Sequence, residues 1–376
     1  MVTPDRILLN DFKRQWSDIG PDVLAAVERV GASGWYVLGQ SVADFERALA
    51  SRMERRFAVG CASGLDAIEI ALRALALPAG TRVLTTPLSA FATTLAIVRA
   101  GCVPVFADVD AHGNLDLEIC ARVLGERPDL RAMVPVHLYG QPLDLDVLAD
   151  LKRRFALRIV EDCAQSIGAR FGERAAGTVG ELAATSFYPT KNLGALGDGG
   201  ALLGDDEALC KVAAALRNYG QSSRYVHDRL GLNSRLDELH AAILQTAMLP
   251  RLDDWTARRR RVAARYLAGI RHAQVSLPAP PSRAVPVWHL FPVLVAPARR
   301  AHLQDHLRAA AVDSAVHYPS LLPDQQALAG IATEVIGDLP RARQYAAGEV
   351  SLPIHPFLTD GEVDRVIDAV NGWKAP

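Results

Sequence analysis

The stretch Ser186 to Leu203, "SFYPTKNLGALGDGGALL", decides how this chain is read. One amine, Lys191, stands among small residues, with glycines at 194, 197, 199 and 200. Glycine loses more conformational freedom on folding than any other residue, so such a cluster marks close backbone approach or positive φ. A tight turn would satisfy that, and so would a lysine kept nucleophilic beside a bound group. The residues leading in, "AATSFYP", read as a strand, which puts the lysine just past a strand end.

Working outward, strand-like and helix-like patterns alternate. "GLDAIEIALRAL" spaces Leu65, Ile68, Leu72 and Leu75 along one helix face. "RVLTTP" reads as a strand, "FATTLAIVRAG" as a helix ended by Gly101, and "VPVFADVD" as a buried strand. Asp116 caps a helix towards Leu124, "RAMVPVHLYG" is a strand, Asp144 caps the next helix, and "LRIVED" is a strand again. This rhythm predicts an α/β fold, an open and mostly parallel sheet with helices on both faces, whose ligands bind at the carboxyl ends of the strands. After about Pro250 the rhythm changes to a polar helix (Asp253 to Arg271), the proline-rich "LPAPPSRAVPVWHLFPVLV", and short strands and helices. The expected division is a large α/β domain over 1–250 and a smaller α+β C-terminal domain over 251–376.

The composition of the 376 residues, 50% hydrophobic and 22% charged, suits a soluble globular protein. A formal net charge of -1 supplies no field favouring nucleic acid or a membrane surface. The one dense basic run, Arg258 to Arg261, reads as a solvated helix face. Five cysteines, none with C-x-x-C spacing, argue against a disulfide framework or a zinc site and for a reducing compartment. With no signal-like segment at the N-terminus and no apolar run of about 18 residues, a cytoplasmic protein is expected.

"RIVEDCAQSIGA" places Asp162 just past a strand end, with Glu161 beside it as a rival. A carboxylate at one strand end and a lysine beyond another is what pyridoxal 5'-phosphate chemistry requires. The lysine bonds the cofactor aldehyde; the carboxylate keeps the pyridine nitrogen protonated. In "CASGLDAIEIAL", Ser63 and Gly64 open a helix whose N-terminus suits the phosphate, although an ordinary cap would look the same. Ser186 is a second candidate hydroxyl. Phe91 is a candidate to stack on the ring, or simply a core aromatic. No G-x-G-x-x-G stands at a strand-to-helix turn of the first unit, which disfavours a dinucleotide-binding dehydrogenase.

With these residues in place, the chain resembles the DegT/DnrJ/EryC1/StrS group of PLP-dependent sugar aminotransferases, of aspartate aminotransferase fold (fold type I). The resemblance covers nearly the whole chain. Its signatures include "GWYVLGQSVADFE", "ASGLDAIEIAL", "PVHLYGQP", "VEDCAQSIGA", "RNYGQ", "NSRLDELHAAIL", "WHLFPV", "HYP" and "SLPIHP" besides the opening stretch. It implies roles residue by residue. Lys191 is the covalent anchor and proton shuttle, and Asp162 the partner of the pyridine nitrogen. Gln165 bonds the ring hydroxyl oxygen, and Phe91 stacks on the ring. Ser63, Gly64 and Ser186 hold the phosphate, and Asn233 reaches the cofactor of a neighbouring subunit in a homodimer with shared sites. Tyr188, His317 and Tyr318 lie near the sugar.

The chain departs from relatives at Leu65, where threonine is common, so one phosphate hydroxyl is missing there. Cys163 (for alanine) and His240 (for glutamine) read as packing variants. The implied reaction is a two-stage transamination from L-glutamate, through pyridoxamine phosphate, to C3 of a dTDP-linked 3-keto-6-deoxyhexose. A C4 aminotransferase on a nucleotide 4-keto sugar, a PLP-dependent sugar dehydratase and a non-catalytic regulatory protein are the alternatives. Lys191 counts against the dehydratase, whose known members of this family carry histidine there.

Overall fold

A computed structural model describes residues 5–375. Its centre is an eight-stranded sheet. The first five strands in chain order are β1 (Phe57–Cys61), β2 (Arg82–Thr85), β3 (Val103–Phe106), β4 (Ala132–Val134) and β5 (Arg158–Asp162). Across the sheet the order is β1, Gly200–Gly204, Leu182–Ser186, β5, β4, β2, β3 and Glu334–Val335. Only Gly200–Gly204 runs against the rest. The mostly parallel sheet expected from the rhythm is therefore present. Because seven strands share one direction, Cys61, Asp162 and Ser186 all finish at the same edge.

The helices that serve this edge start where expected. α1 (Phe12–Ser33) and α2 (Gln40–Arg52) pack on the short helix Glu238–Ile243. α3 (Gly64–Ala74) and α4 (Phe91–Arg99) follow β1 and β2, and both are partly buried in the sheet's core. Asp116 and Asp144 cap their helices, each accepting two backbone N–H bonds. Beyond residue 250, the antiparallel pair Phe291–Leu294 and Glu349–Leu352 packs with helices Leu252–Gly269, Arg300–Ala309 and Asp360–Asn371 in a separate apolar cluster. Three pairings among the described residues run across residue 250: Ile7 bridges Val312, Ala284–Val285 pairs with Arg170–Phe171, and Glu334–Val335 extends the large sheet beside β3.

Two expectations need correction. "RAMVPVHLYG" is strand only over Ala132–Val134. Pro135 has no N–H to give, and Tyr139 and Gly140 then adopt positive φ, turning the chain towards residues 287–290. The arginine run is not a solvated face, since Arg259 is only 5% exposed and its guanidinium donates to the carbonyl of Ile354. Arg258 donates to Leu358 O and Arg260 to Pro286 O, leaving Arg261 as the exposed member. These guanidiniums satisfy carbonyls of segments flanking the C-terminal sheet, so charge density alone misread the face.

The glycines of the opening stretch are now explained. None of Gly194, Gly197, Gly199 and Gly200 has positive φ; close approach is the reason. A Cβ on Gly200 would stand 2.4 Å from both C and O of Ser63, and one on Gly194 would stand 2.4 Å from Pro189 O. Gly200→Ala is therefore expected to cost at least about 3 kcal/mol, the upper end of ordinary overpacking, because backbone cannot swing aside as a side chain can. Urea unfolding checks this; a midpoint equal to that of the unaltered protein contradicts it.

Candidate active site

Strand alternation settles the rivalry between Glu161 and Asp162. Neighbouring side chains on a strand point to opposite faces. Glu161 turns into the core, where its carboxylate accepts the N–H groups of Gly177, Val179 and Gly180 and faces His137 Nε2 at 3.0 Å. His137, Glu161 and Cys163 thereby lie within 4.8 Å of one another, a grouping that sequence spacing did not suggest. The Glu161 oxygens in it are already taken up by these bonds. Burial raises the Cys163 thiol well above its usual value, so this cysteine is a small inert filler.

Asp162 takes the other face. Its Oδ2 accepts from Thr93 Oγ1 at 2.8 Å and its Oδ1 from Ala164 N at 3.0 Å. Thr93 in turn lies 3.1 Å from Ser89 Oγ. Two donors fix the carboxylate and leave it acceptor capacity. Thr93 was missed in the sequence because nothing local ties the first turn of α4 to the end of β5. Phe91, the first residue of α4, is half-buried against Phe106, Leu322 and Leu328.

Ser63, Gly64 and Ser186 come together. Ser63 caps α3, its Oγ accepting from Asp66 N at 3.1 Å, which leaves the hydroxyl proton to give. A Cβ on Gly64 would meet Ser186 Cβ at 2.7 Å, so only glycine lets the helix start reach the end of strand Leu182–Ser186. The N–H groups of Gly64 and Leu65 precede any intrahelical acceptor and carry the positive end of the helix. The Leu65 side chain packs instead on the apolar cluster beneath α3, so this position offers only its backbone.

Lys191 stands in the loop after the same strand, its N–H donating to Tyr188 O at 2.8 Å. Burial pushes its amine down to about 8, against the opposing pull of Asp162. An amine is nucleophilic only in its neutral form. The rate at which the apo protein captures added pyridoxal 5'-phosphate is thus expected to rise with pH and level off above about 8 rather than near 10.5. Stopped-flow absorbance from pH 6 to 10 reads this directly, and a rate still climbing at pH 10 contradicts it.

The other candidates distribute unevenly. Gln165 Oε1 accepts from Tyr139 N at 2.6 Å and its Nε2 donates to Tyr318 Oη at 3.2 Å, which ties these two candidates together. His317 lines a cavity of about 90 Å³ with Asn10, Thr190 and His289. Burial and the charge of Lys191 depress the imidazoles of both His289 and His317. Asn10 and His289 escaped selection as site residues, although His289 lies in the quoted "WHLFPV". Its ring faces Asn192 Oδ1 at 3.2 Å, next to Lys191. Two candidates stand apart. Tyr188 is 51% exposed in a groove of about 410 Å³ with Phe12, Trp16 and Leu196. Asn233 is exposed and bridges Asn218. Its neighbour Ser234 donates to Asp66 and accepts from Ala62 N, fixing the start of α3. His240 is more than packing, for its Nδ1 lies 2.9 Å from Asp237 Oδ2 and a Cβ on Gly197 would touch its ring.

A buried carboxylate, an amine of lowered pKa and a glycine-lined helix start thus meet at the carboxyl edge of a parallel sheet. The family model described as DegT/DnrJ/EryC1/StrS aminotransferase family matches residues 17–371. The chain belongs to that family. A dTDP-3-amino-3,4,6-trideoxy-alpha-D-glucose transaminase of Streptomyces venezuelae is 41% identical, the match covering 98% of this chain and 96% of that one. A protein of Geobacillus stearothermophilus described as a pleiotropic regulatory protein is 35% identical over 96% of each. Among solved structures, S. venezuelae DesV in complex with a ketimine intermediate superposes with a TM-score of 0.93, at 41% identity and 98% coverage of both chains. This aminotransferase therefore has the fold expected for it. No helix among the described residues is long and apolar enough to cross a membrane.

Proposed function

We propose that this enzyme transfers an amino group from L-glutamate to C3 of a dTDP-linked 3-keto-6-deoxyhexose, with pyridoxal 5'-phosphate as cofactor. The observation that carries the substrate class is the 41% identity, over 98% of the chain, to a transaminase named for a 3-amino sugar on dTDP. The chain's own residues fit the cofactor. The Ser63–Gly64–Ser186 cradle, which a Cβ would fill, suits a phosphate, and the Asp162 carboxylate suits a pyridine nitrogen. Bound there, the cofactor supplies an electron sink for the pair left when a carbon beside the transferred nitrogen loses its proton.

The protein's part is binding, orientation and proton transfer. Lys191 anchors the aldehyde and, once displaced by the amino donor, moves a proton as a general base. Its lowered pKa makes the neutral form accessible near neutral pH. Asp162, held by Thr93 and Ala164 N, keeps the proton on the pyridine nitrogen. Gln165 orients the ring hydroxyl, Phe91 covers the ring face, and Tyr188, His317 and Tyr318 receive the sugar.

The exposed Asn233 reaches the phosphate of a second subunit's cofactor in a cytoplasmic homodimer. The exposed Phe12, Trp16, Trp35 and Tyr36 supply apolar surface for it to bury.

A panel of nucleotide-linked 3-keto and 4-keto sugars with L-glutamate tests the reading, with 2-oxoglutarate release as the assay and NMR of the products. Amination at C3 of the dTDP sugar is expected, by a species of twice the chain mass in sedimentation. Nitrogen delivered to C4, loss of a hydroxyl without nitrogen transfer, or no turnover at all would each replace it.

A further inference from the structure

Two polar side chains are buried in the C-terminal sheet without a part in the chemistry above. Glu349 and Ser351 lie two apart on strand Glu349–Leu352, hence on one face, and both are 0% exposed. Their strand neighbours Val350 and Leu352 belong to the apolar cluster. A carboxylate removed from water in this way costs several kcal/mol unless fully satisfied. Its bonds lead to the sugar-side cavity. Glu349 Oε1 accepts from Ser351 Oγ at 2.5 Å, Oε2 accepts from His317 N at 2.6 Å, and Ser351 Oγ lies 2.8 Å from His317 Nδ1.

A hydroxyl has one proton to give. When Ser351 donates it to Glu349, its oxygen must accept from His317 Nδ1–H, and the other ring nitrogen, Nε2, is left bare. We propose that Glu349, acting through Ser351, sets the tautomer of His317, so that Nε2 accepts a hydrogen bond from a hydroxyl of the keto sugar. Glu349 and Ser351 are positioning residues in this relay; the sugar contact rests on the function proposed above. Protonating Glu349 reverses the chain. The acid then donates to Ser351, Ser351 donates to Nδ1, and the ring proton passes through water to Nε2, which becomes a donor. One proton is taken up, on Glu349.

Burial places the Glu349 carboxyl at about 8, so the bare-Nε2 state belongs above that pH and the Nε2–H state below it. Besides Ser351 and the His317 N–H, the groups acting on Glu349 are Arg300, which favours its charge, and the hydroxyls of Tyr139, Tyr318 and Tyr345. His317 itself stays neutral, held down to about 4 by burial and by Lys191.

Glu349→Gln makes a sharp test. The amide oxygen must still face His317 N–H, so the NH₂ sits where Oε1 was and donates to Ser351, locking the Nε2–H tautomer at every pH. In ¹⁵N spectra of the holoenzyme, with the His317 signals assigned by their loss in His317→Gln, Nε2 of the native protein is expected to be unprotonated at pH 9 and protonated at pH 6.5. In Glu349→Gln it should stay protonated throughout. Glu349→Gln and Ser351→Ala should each raise KM for the keto sugar about tenfold at pH 9, the worth of one hydrogen bond of about 1.4 kcal/mol. The half-reaction with L-glutamate, followed by loss of cofactor absorbance, should proceed at the native rate and so reports intact folding. An Nε2 state that ignores pH and the Glu349→Gln change overturns the relay, as does an equal fall in the glutamate half-reaction. If the native protein aminates no keto sugar, the function reading fails while the ¹⁵N result still decides the relay.

Discussion

Lys191→Ala protein is expected to lose at least about 10²–10⁴-fold in turnover, the contribution of a positioned proton-transfer group alone. Losing the covalent anchor adds to that. The change removes a half-buried amine whose one attractive charge partner among the described residues is Asp162, so the fold should persist. Release of 2-oxoglutarate measures the loss. Absorbance near the visible edge, present in the native protein with pyridoxal 5'-phosphate and bleached by L-glutamate, should be missing in the variant. Native turnover in Lys191→Ala would end the assignment.

Asp162→Asn is the second large effect, a fall in kcat of about 10²–10³-fold, the size seen when a preorganised charge-stabilising group is removed. Asparagine keeps the local bonding. Its amide oxygen accepts from Ala164 N, and its NH₂ donates to Thr93 Oγ1, which can turn its proton to Ser89. What disappears is the negative charge that, in the function proposed above, holds a proton on the pyridine nitrogen. An unchanged melting temperature beside the lost turnover separates chemistry from folding. If kcat remained within a factor of two, the charge would have no part in the reaction.

Much of the architecture was legible in the sequence because it is written in local periods. The βαβα rhythm, the capping aspartates Asp116 and Asp144 and the helix face of Leu65, Ile68, Leu72 and Leu75 each depend on residues within a few positions of one another. The arginine run that turned inward failed for the opposite reason, since carbonyls far along the chain govern it, whereas the strand stopped at Val134 on a local signal, the proline that follows it.

The site divided in the same way. Lys191, Asp162 and the Ser63–Gly64 pair announce themselves, because an amine in a glycine run and a cap after a strand are local signals. Thr93, Asn10, His289 and Ser234 do not, because nothing within their own segments says what they will face. Glu161 and Asp162 show the limit most clearly. Adjacent acids at a strand end have equal standing in sequence, and the pleat sends one to the core and the other to the cleft.

By itself, then, the amino-acid sequence determined which residue types exist to do chemistry here, and the alternation of elements that brings strand ends to a common edge. The tertiary structure alone decided which acid faces the amine and why Gly64 and Gly200 must lack a Cβ. It also decided that Glu349 and Ser351, some 160 residues beyond Lys191, sit behind His317. Local order follows from short-range sterics and hydrogen bonding, whereas a site's partners are chosen by sheet register and packing between segments far apart in the chain.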